Sequence, residues 1–124
     1  SKAAKLNMIT ALSSFLVIGA GAATLIFYDY TMPASSETAA NNAAKLVTLT
    51  LPEPCFKEVT ADYIELYPPV PAMPIKTGTA VWARLFNGAG QTVQDLSIGT
   101  DIILSKTAIT LGGEVSIQSI KLQP

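Results

Sequence analysis

"LNMITALSSFLVIGAGAATLIFYDY", Leu6 to Tyr30, decides the fold, because it carries no charge between Lys5 and Asp29. A membrane span needs about 20 apolar residues, and this run is long enough. Lys2 and Lys5 ahead of it, with the small residues Ala20-Gly21-Ala22, also fit a cleaved leader. The polar residues inside the run point elsewhere. At about 100° per residue, Asn7, Thr10, Ser13 and Ser14 gather on one side of a helix, with Leu6 and Val17 intruding. Met8, Ile9, Ala11, Leu12, Phe15 and Leu16 share the other side. Lipid makes no use of such a polar stripe, whereas a helix lying on a protein core does. Gly19 to Ala22 then supplies a stop and a turn. The "ATLIFYDY" that follows is β-branched and aromatic, a strand composition. The reading is an amphipathic helix over about 6–18, a turn, and a strand over Thr24 to Asp29. A segment retained and packed on the protein is expected, with no membrane partner.

Outward from there, Thr31 to Ala44 is small and polar and reads as a surface loop or arm. In "KLVTLTLPEP" Leu46, Thr48 and Thr50 alternate with Val47, Leu49 and Leu51 until Pro52 and Pro54 end the strand. "FKEVTADYIEL" is a weaker strand candidate. It leads into "YPPVPAMP", Tyr67 to Pro74, whose four prolines keep it extended and cannot donate to a ladder. A stiff connector crossing between two sheets is the reading there, with a ligand for a proline-recognising module as the alternative.

"GTAVWARLF", "NGAG" and "QTVQDLSIG" form the clearest hairpin. Val81, Ala83 and Leu85 are expected on one face and Trp82, Arg84 and Phe86 on the other. Asn87-Gly88 is expected to make the reversal, since both residues tolerate positive φ. Trp82 and Arg84 could stack on a base or sugar, but core packing with a snorkelling arginine is the simpler expectation. Short strands follow at "DIIL", "TAITL" and "EVSIQSIKL". In the last, Val115 and Ile117 fall on odd positions and Ile120 and Leu122 on even ones. One face cannot bury all four without an extra residue, so a bulge, bend or change of partner is predicted near Gln118-Ser119. About seven short strands and one helix make the fold mainly β: a single antiparallel β-sandwich domain over 1–124 with one N-terminal amphipathic α-helix.

The composition restricts the chemistry. Histidine is absent, which excludes Ser-His and Cys-His pairs and imidazole-ligated zinc. Cys55 is the lone cysteine and reads as a small buried hydrophobe. The nine carboxylates are dispersed, and Asp62 and Glu65 are an odd number of residues apart, so they cannot share a strand face. "GAGAA" lacks the lysine of a P-loop and the third glycine of a dinucleotide fingerprint. With a net charge of −1 and scattered basic residues there is no stripe for a phosphate backbone. The expectation is a non-enzyme without cofactor, metal or nucleic-acid partner.

The serial order of segments carries a resemblance. "IFYDYTMPASSETAA", "KLVTLTLPEPCF", "GTAVWARLFNGAGQTVQDLSIGTDIIL" and "TAITLGGEVSIQSIKLQP" together resemble small structural proteins encoded among the virion genes of tailed bacteriophages. The likeness runs from about Leu6 to the end. It departs at Tyr30, where such proteins commonly carry glycine, and at "LYPPVPAMPIK", which replaces a more polar stretch. What it implies is a virion component, made in the host cytoplasm and assembled on the particle with other virion proteins, as a homo-oligomer there. Capsid decoration or cementing is the first expectation. A tail-tip, baseplate or fibre-base adaptor is the second, and a membrane-anchored, pilin-like filament subunit the third. Contacts are expected from the stretches least able to make a core of their own: Met32 and Pro33 in the 31–44 loop, and Tyr67, Val70, Met73 and Ile75 on the prolyl frame.

Overall fold

The computed structural model describes the chain apart from Ser1, Ala20, Ser36, Glu37, Pro54, Val70 and Pro124, and apart from the side chains of Lys2 and Asn42. Helix α1 (Lys2–Leu16) is followed by strand β1 (Thr24–Tyr28), so the opening run turns before it is long enough to cross a bilayer. Among the described residues no helix is long and apolar enough to span a membrane. The remaining strands are β2 (Lys45–Thr50), β3 (Phe56–Val59), β4 (Ile64–Leu66), β5 (Gly78–Thr79), β6 (Trp82–Phe86), β7 (Thr92–Ser97), β8 (Ile102–Leu104), β9 (Ala108–Ile109) and β10 (Ile117–Leu122).

They form an antiparallel sandwich. One sheet runs β2-β1-β6-β7, the other β3-β4-β10-β8, and β5 pairs with β9 beside them. Alternation sends Leu25 and Phe27 of β1, Leu49 of β2, and Ala83 and Leu85 of β6 into the space between the sheets. There they meet Ile64, Leu66, Ile102, Ile117, Ile120 and Leu122 from the opposite sheet. A single bridge between Ile98 and Ile102 links β7 to β8, leaving β2 and β3 as the facing open edges.

Three local readings change. The weak strand "FKEVTADYIEL" is a hairpin of β3 and β4, because the Thr60 hydroxyl accepts from the Asp62 and Tyr63 N–H groups and reverses the chain. "GTAVWARLF" breaks at Ala80-Val81, where Ala80 N–H donates to Thr107 and Val81 N–H to Tyr28, a change of strand partner. Val81 is exposed there, not inward with Ala83 and Leu85. In the 87–91 turn the positive φ falls at Gly90, at 81°, not at Asn87-Gly88.

The predicted bulge in β10 is present. Ile117 faces Leu104 and Ser119 faces Ile103, so Gln118 is the extra residue that brings Ile117, Ile120 and Leu122 onto one buried face.

Helix α1 touches the sandwich along a narrow strip. Ile9 and Leu16 are buried and Leu12 packs against the core, whereas Met8 and Ala11, expected on the buried side, are exposed. The helix contacts β7 of one sheet and, through the Lys5–Asp62 pair at 3.5 Å, the β3-β4 turn of the other, and this contact is narrower than its apolar arc. Its C-terminal turn lies backbone-to-backbone on the 87–91 turn. A Cβ on Gly88 would collide with the Gly21 carbonyl, and one on Gly19 with the Gly88-Ala89 backbone. Asn87 closes this joint, its Nδ2 donating to the Phe15 carbonyl at 3.1 Å.

Candidate docking surface

The connector from Tyr67 onward gets its course from its prolines. Extended chain alternates its side chains, and Pro69 and Pro74 are buried, so Met73 and Ile75 on either side of Pro74 are turned outward. Backbone bonds hold the path. Tyr67 N–H donates to Cys55 beside β3, Ala72 accepts from Val115, and Ile75 N–H donates to Leu46 of β2. The connector therefore passes from one open sheet edge to the other. Lys76 anchors its end, donating to the Ala43 carbonyl at 3.0 Å and pairing with Asp29 at 3.4 Å.

The turn after β9 joins this edge. Gly113 N–H closes on the Thr110 carbonyl, and Leu111 N–H donates to Thr77 Oγ1 at 2.9 Å. Met73 and Ile75, each 66% exposed, and Leu111, 60% exposed, are the most exposed large apolar side chains among the described residues. All three lie on this one bonded edge. Tyr67 is also exposed, but at the other end of the connector, beside Cys55. Val70 lies outside the described residues. Leu111 was not singled out in the sequence, where it only closes the short strand "TAITL". The strand stops at Ile109, and the turn carries Leu111 out.

Met32 and Pro33 sit apart, at the start of the 31–44 loop; Met32 is exposed and Pro33 half-buried. The loop is no free arm. Its residues 38–44 lie over the outer face of the β2-β1-β6-β7 sheet as a strap, with Ala40 and Ala44 packed around Tyr28 and Trp82. The Tyr28 and Trp82 rings stack at 4.6 Å, and Tyr30 meets both edge-on. Small residues are needed here because the strap must approach these rings closely. Asn41 N–H donates to the Tyr30 hydroxyl at 2.6 Å.

Arg84 is the strap's deepest tie. Its Nε and Nη2 form a two-pronged pair with the Asp95 carboxylate at 2.7 and 3.1 Å, and its Nη1 donates to the Thr38 carbonyl at 2.6 Å. At 3% exposure it does not snorkel. The bonds to Asp95 hold the guanidinium above its usual range, and burial raises the Tyr28 phenol. Burial also raises the Cys55 thiol, which disfavours the thiolate. A stacking role for Trp82 and Arg84 on a base or sugar would require the strap to leave.

Among the described residues no three His, Cys, Asp or Glu side chains converge as a metal site. The arrangement at Met73, Ile75 and Leu111 can remove apolar surface from water against a partner, at about 1.5–3 kcal/mol for each side chain fully buried. Comparison with protein-family models, with curated proteins and with solved structures finds no match for this chain.

Proposed function

We propose that this chain is a non-enzymatic structural protein of a tailed-phage virion, which decorates or cements the capsid by docking on neighbouring subunits. The observation that carries the docking half is the Met73-Ile75-Leu111 edge, where a rigid prolyl frame presents the most exposed apolar side chains of the described structure. A frame held by backbone bonds at Cys55, Leu46 and Val115 loses little further entropy on binding. The virion half rests on the serial resemblance of the sequence. A near-neutral charge suits a surface that adds to a shell and not one that packs on a genome.

One such edge is too small alone. Specific interfaces bury about 1,200–2,000 Å² in total, so the exposed Tyr67 at the other end of the connector is proposed to extend the contact, with Met32 on the 31–44 loop as a separate point of contact. Many weak copies on one particle then add through multivalency. The test is the copy number of the protein on purified particles, with its position by cryo-electron microscopy. A regular lattice of copies over the shell supports decoration. Copies confined to one vertex or the tail tip replace decoration by an adaptor role, and absence from particles removes the virion reading.

A further inference from the structure

We infer that Asn87-Gly88 is a chemical modification site gated by helix α1: spontaneous deamidation of Asn87 is blocked while the helix is docked and, once it occurs, prevents redocking. Asn87 is the sole asparagine of four that precedes glycine. A glycine amide nitrogen is the least hindered attacker of the preceding side chain. In this reaction the Gly88 amide loses its proton to base and its nitrogen bonds to Asn87 Cγ. The Cγ–Nδ2 bond breaks and ammonia leaves. Water then opens the five-membered imide at either carbonyl, giving aspartate or isoaspartate. No oxidant or other co-reactant is required.

The docked state opposes each movement this needs. Asn87 is 2% exposed, and its amide is held at four points. Nδ2 donates to the Phe15 carbonyl and to Gln91 Oε1, while Oδ1 accepts from the Ala89 and Gln91 N–H groups. Gly88 lies so close to Gly21 that not even a methyl group fits between them. Its nitrogen therefore cannot swing onto Asn87 Cγ until the helix turn lifts away. The product cannot rebuild the joint. A carboxylate donates no hydrogen bond to Phe15, and it sets a negative charge against the carbonyl end of α1. Isoaspartate also inserts an extra methylene into the backbone of this crowded turn.

The intact protein and the variants Ile9→Ala and Gly19→Ala are incubated at mildly alkaline pH, and conversion at Asn87 is followed by peptide mass mapping and isoaspartate methylation. Ile9→Ala removes a buried anchor of the helix, and Gly19→Ala pushes its turn off the hairpin. Conversion is expected to be about tenfold or more faster in both variants than in the intact protein, since exchange of a protected site follows its open population. Trp82 emission, reporting from the opposite sheet face, should be unchanged and so show that the sandwich stays folded. Conversion of the intact protein as fast as in urea, or no acceleration in a variant with an undocked helix and native Trp82 emission, overturns the gate. Asn87→Asp made directly should lose the circular-dichroism signal of α1 with native Trp82 emission. A retained helix signal in that variant overturns the second half.

Discussion

Arg84 is the residue whose environment sets its energetic role most sharply. It and Asp95 are almost wholly buried, at 4% and 9% side-chain exposure. Removing one member of such a pair strands the other charge away from water. Arg84→Ala is therefore predicted to destabilise the domain by about 3–5 kcal/mol, comparable to the roughly 3–5 kcal/mol for Trp82→Ala. Urea unfolding of both variants checks this, and a cost under half that of Trp82→Ala would return Arg84 to a surface role. The sequence reading expected core packing of Trp82 with a snorkelling arginine, because alternation put Arg84 on the same strand face as Trp82. What alternation could not show is that a segment more than forty residues away in the chain covers that face, as the 46-residue separation of Arg84 and Thr38 records. Cys55 supplies a second residue-scale outcome. Its thiol is raised above the ordinary 9.0 by burial, so the folded state holds its proton more tightly than the unfolded chain. The associated stability is present below pH 9.0 and is lost as pH rises from there through the folded value. Thermal midpoints should fall above that pH, and fall less steeply in Cys55→Ala; identical slopes would show that the thiol is not the linked group.

Strand β10 shows how one residue can serve a whole element. With Gln118 bulged out, Ile117, Ile120 and Leu122 reach the same buried face. Deleting Gln118 leaves Ile117, Ser119, Ile120, Lys121 and Leu122 in strict alternation, so all three apolar side chains can remain inside. A modest loss of about 1–3 kcal/mol is predicted. Deleting Lys121 instead turns Leu122 away from Ile64's strand and removes the bond from Lys121 N–H to Asp101. That should cost at least as much as truncating a buried leucine, about 2–5 kcal/mol. If the Gln118 deletion is the more damaging of the two, the bulge does more than correct phase. This element was legible in the sequence because parity is a local property. Helix α1 was legible in kind but not in its contacts: a 3.6-residue period identifies an apolar arc, not how much of it a neighbour covers. The strap was read as an arm for the same reason, since nothing local in "TMPASSETAANNAA" announces the ring stack of Tyr28 and Trp82 beneath it.

At the scale of the whole molecule, the sandwich leaves an open seam between β2 and β3, and the prolyl connector lies across it. An extended, donor-poor strip is a good cover for an edge, because its four prolines offer no ladder for further strands to extend. The same strip carries Met73 and Ile75 outward and receives Leu111 beside them. Of this edge the sequence revealed Met73 and Ile75, through the stiffness of the prolyl frame. Leu111 came only with the turn. The three side chains are exposed, so changing them should leave the fold within about 0.5 kcal/mol. The most direct measurement of the account is the occupancy of the triple variant Met73→Ser, Ile75→Ser, Leu111→Ser on assembled particles, beside its thermal midpoint. The account predicts an unchanged midpoint and a clear loss of occupancy; full occupancy with the edge removed would contradict it.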